Sequence, residues 1–436
     1  MDIRQLYEIY LRHPSIVIDS RKATPGCLFF ALRGEHTDGN EHAAAALQNG
    51  AAYSVVDRAE YAVSERCILV DDVLKTLQTL ATHHRRQFVC PFIAITGSNG
   101  KTTTKELVSA VLATHYKTHF TQGNLNNHIG VPLTLLAMPA DTEIAVIEMG
   151  ANHQGEIDFL CRIAQPTHGL ITNIGKAHLE GFGGLEGVKK GKSELYRYLA
   201  ETGGTAFVNL DEAFLLELAA PVAKKVTYKK SLAPDPADIA KETVLQAEQP
   251  FLKVAFLADD GALAGVQSNL IGLYNFNNLS TAITVGRYFK VPSQKILNAV
   301  AAYVPSNMRS QLVAQGNNQI ILDAYNANPT SMRNALQNFA KMAGGTKVAI
   351  LGAMLELGDE SEKEHAEILE LAQSLGLSQI VLVGKEFEKS ATAAQVLYFE
   401  NAAAAKIWFD AQNFQNASIL IKGSRGIKLE RLLENG

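Results

Sequence analysis

The chain has 436 residues, of which 47% are hydrophobic and 19% charged, and a formal net charge of −4. That length exceeds what one core sustains and points to about three domains. The charge excludes a nucleic-acid binder relying on bulk electrostatics, and no apolar run approaches the roughly 20 residues of a membrane span.

The opening stretch "MDIRQLYEIYLRHP" is mixed and charged, unlike a signal peptide. Cys27, Cys67, Cys90 and Cys161 are scattered without a C-x-x-C pair, which fits a reducing cytoplasm. Residues 1–85 read as a small α/β unit, with strands at Cys27–Leu32 and Ala52–Val56 around an alanine-rich helix near Glu41–Gln48. The basic stretch "THHRRQ" then leads to Pro91.

Next comes "FIAITGSNGKTTTKELVSAVLATH". Phe92–Ile95 reads as a buried strand, Gly97 and Gly100 permit a tight turn, and Leu107, Val108, Val111 and Leu112 recur at helical spacing. Strand, glycine loop and helix start form a phosphate cradle, in which N–H groups point at an anion and Lys101 adds a full charge. Thr102 places a hydroxyl where Mg²⁺ would sit. Ile95 stands where the longer phosphate-loop pattern has its first glycine, so the chain carries the shorter T-G-x-x-G-K-T form.

From residue 86 to about 305, strands ("EIAVIEMG", "HGLITNIG", "GTAFVNL") alternate with helices, which predicts a parallel sheet covered on both faces. Residues 225–268 break the pattern and read as an antiparallel appendage. From 306 to 436 a fresh βα series forms a second nucleotide-fold-like domain without a G-x-G-x-x-G fingerprint. In its first helix Met332, Ala335, Leu336 and Phe339 should face a core.

Several polar groups fall where chemistry is expected. Glu148 ends a strand, and ligands gather at the carboxyl ends of parallel strands; a carboxylate there can hold Mg²⁺ or be a plain surface residue. His178, in a glycine-rich loop on the same edge, can ligate a metal, donate to a phosphate or cap a turn. The lysines of "GVKKGKSELYRYL" either line a solvated helix face or include one that takes up CO₂ as a carbamate beside a metal. Asn275 and Asn278, at helical spacing, can read a base edge or cap a helix. Asp323 at a strand end could bind ribose hydroxyls, and Tyr325 could stack on a base.

Together "DSRKATPGCLFFALRG", "TGSNGKTTTKE", "GNLNNHIGVPLTLL", "IEMGANHQGEI", "NIGKAHLEGFG", "KSELY", "DAYNANPTSM", "LGAMLELGDES" and "KGSRG" closely resemble the Mur ligases, in the family's order over nearly the whole chain. The resemblance implies an α/β protein of three domains. A small N-terminal α/β domain binds a UDP-sugar peptide, a central parallel-sheet P-loop domain is the ATPase, and a Rossmann-like C-terminal domain completes the site. "GNLNNHIGVPLTLL" and "DAYNANPTSM" point to the branch that joins D-alanyl-D-alanine to a UDP-N-acetylmuramoyl-tripeptide, with ATP and Mg²⁺, through an acyl phosphate.

By the same resemblance Gly97, Ser98, Asn99, Gly100, Lys101, Thr102 and Thr103 hold ATP phosphates, and Thr102, Glu148, His178 and a carbamylated Lys192 hold the metal. Lys101, His178 and Lys192 are the implied catalytic groups, and Asn275, Asn278, Arg309 and Asp323 the remaining ATP contacts. Substrate contacts fall on Ser20 and Arg21 (uridine side), on Asn124, Asn126, Asn127 and His128, and on Asn326 and Asn328 near the dipeptide. A cytoplasmic monomer with no nucleic-acid partner and no membrane span is expected. The intact Lys101, Thr102, Glu148 and His178 disfavour a catalytically silent nucleotide-binding scaffold.

Overall fold

Three sheets, in chain order, carry the architecture of the protein, whose computed structural model describes residues 2–434. The first has four parallel strands, Ile16–Val17, Leu28–Phe30, Tyr53–Val56 and Cys67–Leu69, side by side in that order. The predicted strands near 27–32 and 52–56 are present, and the alanine-rich segment is a 3₁₀ turn followed by the helix Ala43–Gln48.

The helix Val73–Arg85 fastens this sheet to the next, packing on the helices Gly130–Leu136 and Glu156–Ala164. Arg85 ends it as a buried anchor. Its guanidinium donates to the carbonyls of Ala164 (2.8 Å), Gln165 (2.8 Å) and Phe88 (2.9 Å), and lies 3.5 Å from the centre of the Phe92 ring.

The second sheet has nine strands. From its centre to one edge it runs Thr205–Asn209, His168–Ile171, Phe92–Thr96, Ile144–Glu148, Thr118–Phe120, all parallel. Alternate residues of the phosphate-loop strand enter two separate cores: Phe92 and Ala94 on one face, Ile93 and Ile95 on the other. A strand buried on both faces has no polar alternation, which is why "FIAI" reads as a continuous apolar run. The helix Lys101–Ala113 covers one face together with Phe276–Tyr288.

Residues 225–268 differ from the expected appendage. Lys224–Ser231 pairs in parallel with Thr205–Asn209, and Glu242–Ala247 pairs in parallel with it in turn. Only Lys253–Leu257 and Leu263–Gln267 run antiparallel, so the segment extends the central sheet instead of standing apart from it. The polar residues of "KKVTYKKS" hid the continuity: the strand pairs on both sides, yet most of its side chains are exposed or half-buried.

The third sheet has six strands in the order Gln311–Gln315, Asn318–Asp323, Ala417–Lys422, Thr346–Gly352, Gln379–Val383, Leu397–Phe399. All are parallel except the first, which hairpins onto the second. Met332, Ala335, Leu336 and Phe339 are buried, as their spacing requires. This mixed α/β fold of three sheets is the one that the sequence predicts.

Candidate functional site

The carboxyl ends of the central strands open into a cavity of about 720 Å³, which the start of the third sheet closes from the other side. The phosphate-loop turn is built by two glycines in the left-handed half of backbone space, Gly97 at φ +140° and Gly100 at φ +77°. A Cβ on Gly97 would stand 2.0 Å from Thr172 Oγ1, and one on Gly100 2.6 Å from Asn278 Oδ1. The loop is thus clamped between a strand end and the helix carrying Asn278. Asn173 completes the clamp: its Oδ1 accepts from Asn99 N (2.9 Å) and its Nδ2 donates to Asn99 O (3.0 Å).

Lys101 folds back over its own loop and donates to the carbonyls of Gly97 (2.7 Å) and Ser98 (3.3 Å). Burial pushes its ammonium below the usual range; the Arg309 charge acts in the same sense and the Glu148 carboxylate opposes both. These three charges are therefore neighbours. Glu148 is 1% exposed. Its Oε1 accepts from Asn126 Nδ2 (2.7 Å) and Thr102 Oγ1 (3.2 Å), while its Oε2 is buried without a partner.

His178 has left-handed backbone, φ +54°, just before the short helix Leu179–Phe182, and its side chain caps nothing. Its Nδ1 lies 2.5 Å from Glu356 Oε2, out of line for a hydrogen bond. Among the described residues no three His, Cys, Asp or Glu side chains form a metal-holding group. Lys192 ends the helix Leu185–Lys192 at 1% exposure; Lys190 of the same run is exposed. Its Nζ donates to the cavity-lining Ala151 O (3.0 Å) and stands 5.0 Å from the Phe182 ring. Burial first, then the Lys101 charge, push its ammonium far below its ordinary range against Glu156 and Glu194.

Asn275 and Asn278 both line the cavity. Asn275 holds the N-cap position of the helix Phe276–Tyr288, but neither side chain makes a capping bond: Asn278 Nδ2 donates to Asn275 Oδ1 (2.8 Å), and Asn278 Oδ1 accepts from Thr104 Oγ1 (2.9 Å). Arg309 lies with its guanidinium carbon 3.8 Å from the centre of the Tyr325 ring, and its Nε is buried without a partner. Asp323 reaches the cavity with both oxygens already engaged, Oδ1 by Ser310 N (3.0 Å) and Oδ2 by Lys422 Nζ (2.7 Å).

Asn328 lines the cavity and has a structural task as well. It is the N-cap of the helix Pro329–Lys341, with Oδ1 accepting from Ser331 N (2.9 Å) and Nδ2 donating to Asn99 Oδ1 (2.7 Å). Asn326 lines the cavity, but its Oδ1 accepts from Ala327 N (2.9 Å). Asn127 and His128 line the cavity, and Asn127 Oδ1 accepts from Gly130 N (2.9 Å) at the start of the helix Gly130–Leu136. Asn124 lies outside the cavity lining, as do Ser20 and Arg21 beside the first sheet, where Arg21 pairs with Asp19 at 2.9 Å. The reading of the sequence passed over Asn173, Glu212, Asn277 and Lys422, all lining the cavity. Asn173 and Glu212 follow strand ends, the one signal that could have found them.

Comparison with known proteins accords with this arrangement. Residues 14–85 match the Mur ligase family catalytic domain, 95–286 the Mur ligase middle domain, and 308–425 the Mur ligase glutamate ligase domain. The chain is 35% identical to the UDP-N-acetylmuramoyl-tripeptide--D-alanyl-D-alanine ligase of Bacillus subtilis, over 98% of this chain and 94% of that one. It superposes on MurF from Acinetobacter baumannii with a TM-score of 0.86 at 31% identity, covering 99% of this chain and 97% of the other. With the MurF ligase of Thermotoga maritima, solved in complex with ADP, the TM-score is 0.82 at 26% identity, over 97% of each chain. Agreement in sequence, domain order and fold over almost the full length places the chain in the Mur ligase family.

Proposed function

We propose that this cavity activates the terminal carboxylate of UDP-N-acetylmuramoyl-tripeptide with ATP and joins it to the amine of D-alanyl-D-alanine. The observation that carries the reading is four buried polar atoms without hydrogen-bond partners on residues that line one cavity: Asn99 Nδ2, Glu148 Oε2, His178 Nδ1 and Arg309 Nε. A buried polar group left unmade is costly, so the cavity fits a ligand that supplies the missing partners. Asn99 Nδ2 and Arg309 Nε, two donors beside Lys101, suit phosphate oxygens; Glu148 Oε2 suits a cation, and His178 Nδ1 suits either, according to its tautomer. The names of the relatives, and the ADP bound by the Thermotoga maritima protein, agree with this ligand.

A carboxylate oxygen of the tripeptide attacks the γ-phosphorus and ADP leaves, giving an acyl phosphate. The dipeptide amine then attacks the acyl carbon, and phosphate departs as the amide forms. Carboxylate and triphosphate repel each other, and the Lys101 and Arg309 charges offset that repulsion where charge develops. Arg309 comes from the segment leading into the third sheet, so closure of that sheet over the loop completes the charge set and excludes water from the acyl phosphate.

Mg²⁺ fits the corner formed by Glu148 Oε2 and the Thr102 hydroxyl, because this ion takes few protein oxygens and completes its shell with phosphate and water. When bound, it would neutralise charge on the phosphates. A carbamylated Lys192 would add a third oxygen ligand, and its buried, depressed amine suits reaction with CO₂. His178 would either join the metal or hold Glu356.

Residues 1–85, 86–305 and 306–436 are assigned as UDP-sugar-peptide, ATPase and C-terminal units. The chain is assigned as a cytoplasmic monomer; its four cysteines are unpaired, as in a reducing compartment. No helix among the described residues is long and apolar enough to cross a membrane. The test is release of ADP and phosphate with ATP, the UDP-linked tripeptide and D-alanyl-D-alanine, supplied singly and together. Product formation only with all three is expected; ADP release independent of the dipeptide and tripeptide would overturn the reading.

A further inference from the structure

Between the helix Ser293–Ala302 and the third sheet the chain passes through a short linker in unusual backbone geometry. Asn307 (φ +57°), Met308 (φ +56°) and Ser310 (φ +49°) all lie in the left-handed region, and none is a glycine. Such runs persist only where the surroundings over-determine them. The residue in the middle of this run is Arg309.

Three sets of contacts hold the linker. From the third-sheet side, Asp323 accepts from Ser310 N at 3.0 Å. From the central-sheet side, the hydroxyl of Tyr274, which just precedes the helix Phe276–Tyr288, meets Ser310 Oγ at 2.7 Å. From the phosphate-loop side the holder is Glu106, five residues after Lys101 on the same helix. Its Oε2 accepts from the Tyr303 hydroxyl (2.8 Å), and its Oε1 accepts from Asn307 Nδ2 (3.4 Å). The buried Lys105 ammonium lies 4.0 Å from that Oε1 and donates to Thr121 O (2.8 Å). Glu106 does not line the cavity and touches no atom that would react.

From this geometry we infer that Glu106 is a positioning residue, tying the linker to the phosphate-loop helix so that Arg309 faces the transferring phosphate. The inference rests on Arg309 serving ATP, as proposed above. One helix then carries both Lys101 and the tether for Arg309, so the two cations move as a unit relative to the phosphates. Loss of the tether should leave the loop's grip on ground-state ATP largely intact and weaken stabilisation of the developing charge.

The test is steady-state kinetics of Glu106→Ala, Tyr303→Phe, Arg309→Ala and the two double variants with Arg309→Ala, each checked for a native melting profile. Glu106→Ala should lower kcat about tenfold while KM for ATP moves less than about threefold, and Glu106→Gln, which still accepts from Tyr303, should recover most of the loss. In the Arg309→Ala background either substitution should cost less than about twofold more. Losses that multiply across the two sites would overturn the tether while leaving Arg309's role intact. A fully active Arg309→Ala would overturn the ATP role of Arg309 and the tether with it. Should Glu106→Ala fail to fold, Tyr303→Phe decides, since it removes one hydroxyl from the same contact.

Discussion

Asn328 and Asn99 lie 229 residues apart in the chain and meet side chain to side chain at 2.7 Å, joining the first helix of the third-sheet region to the phosphate loop. The same Asn328 caps its own helix, so one carboxamide serves two tasks. Asn328→Ser keeps a capping oxygen and removes the bridge. It should melt within about 1 kcal/mol of wild type while raising KM for ATP at least as much as KM for the dipeptide. Asn328→Ala should add a stability loss of about 1 kcal/mol. Differential scanning calorimetry beside two-substrate kinetics separates the effects, and a KM change confined to the dipeptide would contradict the bridge.

Lys101→Ala should lower turnover about a hundredfold or more without unfolding the protein. The ammonium bonds only loop carbonyls, and no other loop side chain carries a positive charge. Wild-type turnover by a purified variant would sink the phosphate-loop assignment.

Lys192 should carry a carbamate in the active enzyme. Its amine is buried and held well below its ordinary pKa, chiefly by desolvation, so the neutral form that reacts with CO₂ is easier to reach than in an exposed lysine. Carbon-13 NMR with labelled bicarbonate should show one carbamate signal that Lys192→Ala abolishes. The variant should lose activity and regain part of it with acetate, whereas the exposed Lys190→Ala should stay active. Full activity of Lys192→Ala without added acid would end the assignment.

His168 gives a pH signature of the fold. It packs between Phe207, Tyr288 and Phe289, and burial first, then Lys224, push its imidazole from the ordinary 6.5 down to about 4. The unfolded chain binds this proton below about pH 6.5 and the folded chain only below about pH 4. Its contribution to stability is therefore present above 6.5 and lost as pH falls from 6.5 towards 4. His168→Gln should flatten the fall between those values by about 1–3 kcal/mol. Urea melts at pH 7 and pH 4.5 test this, and an unchanged pH dependence would refute it.

Arg85→Ala should destabilise by about 2–4 kcal/mol, because one buried and two part-buried carbonyls lose their donor at once. Arg85→Lys should recover little, since one ammonium cannot reproduce the planar fork. Thermal melts of both variants settle the point.

Much of the site was legible because its chemistry is local. The strand, glycine turn and helix of residues 92–113 are dictated by apolar spacing and by Gly97 and Gly100, and Glu148 shows itself by ending a buried strand. Patterns of a few residues survive folding because the backbone rules that create them act over a few residues. Tertiary structure decided what those side chains do to one another. The spacing of "GVKKGKSELY" does not distinguish Lys192 from its neighbouring lysines, and only the resemblance singles it out; in the fold, helix rotation buries that one amine against Ala151 O. Asn328 reads as a free carboxamide until Pro329 starts a helix behind it and the third-sheet region brings it to Asn99. The strands of 225–268 lacked a signal of their parallel pairing, since register belongs to two segments and not to either one. Distance along the chain carries no information about such meetings; they follow from how three sheets pack, and the sequence sets that only through all of its contacts together.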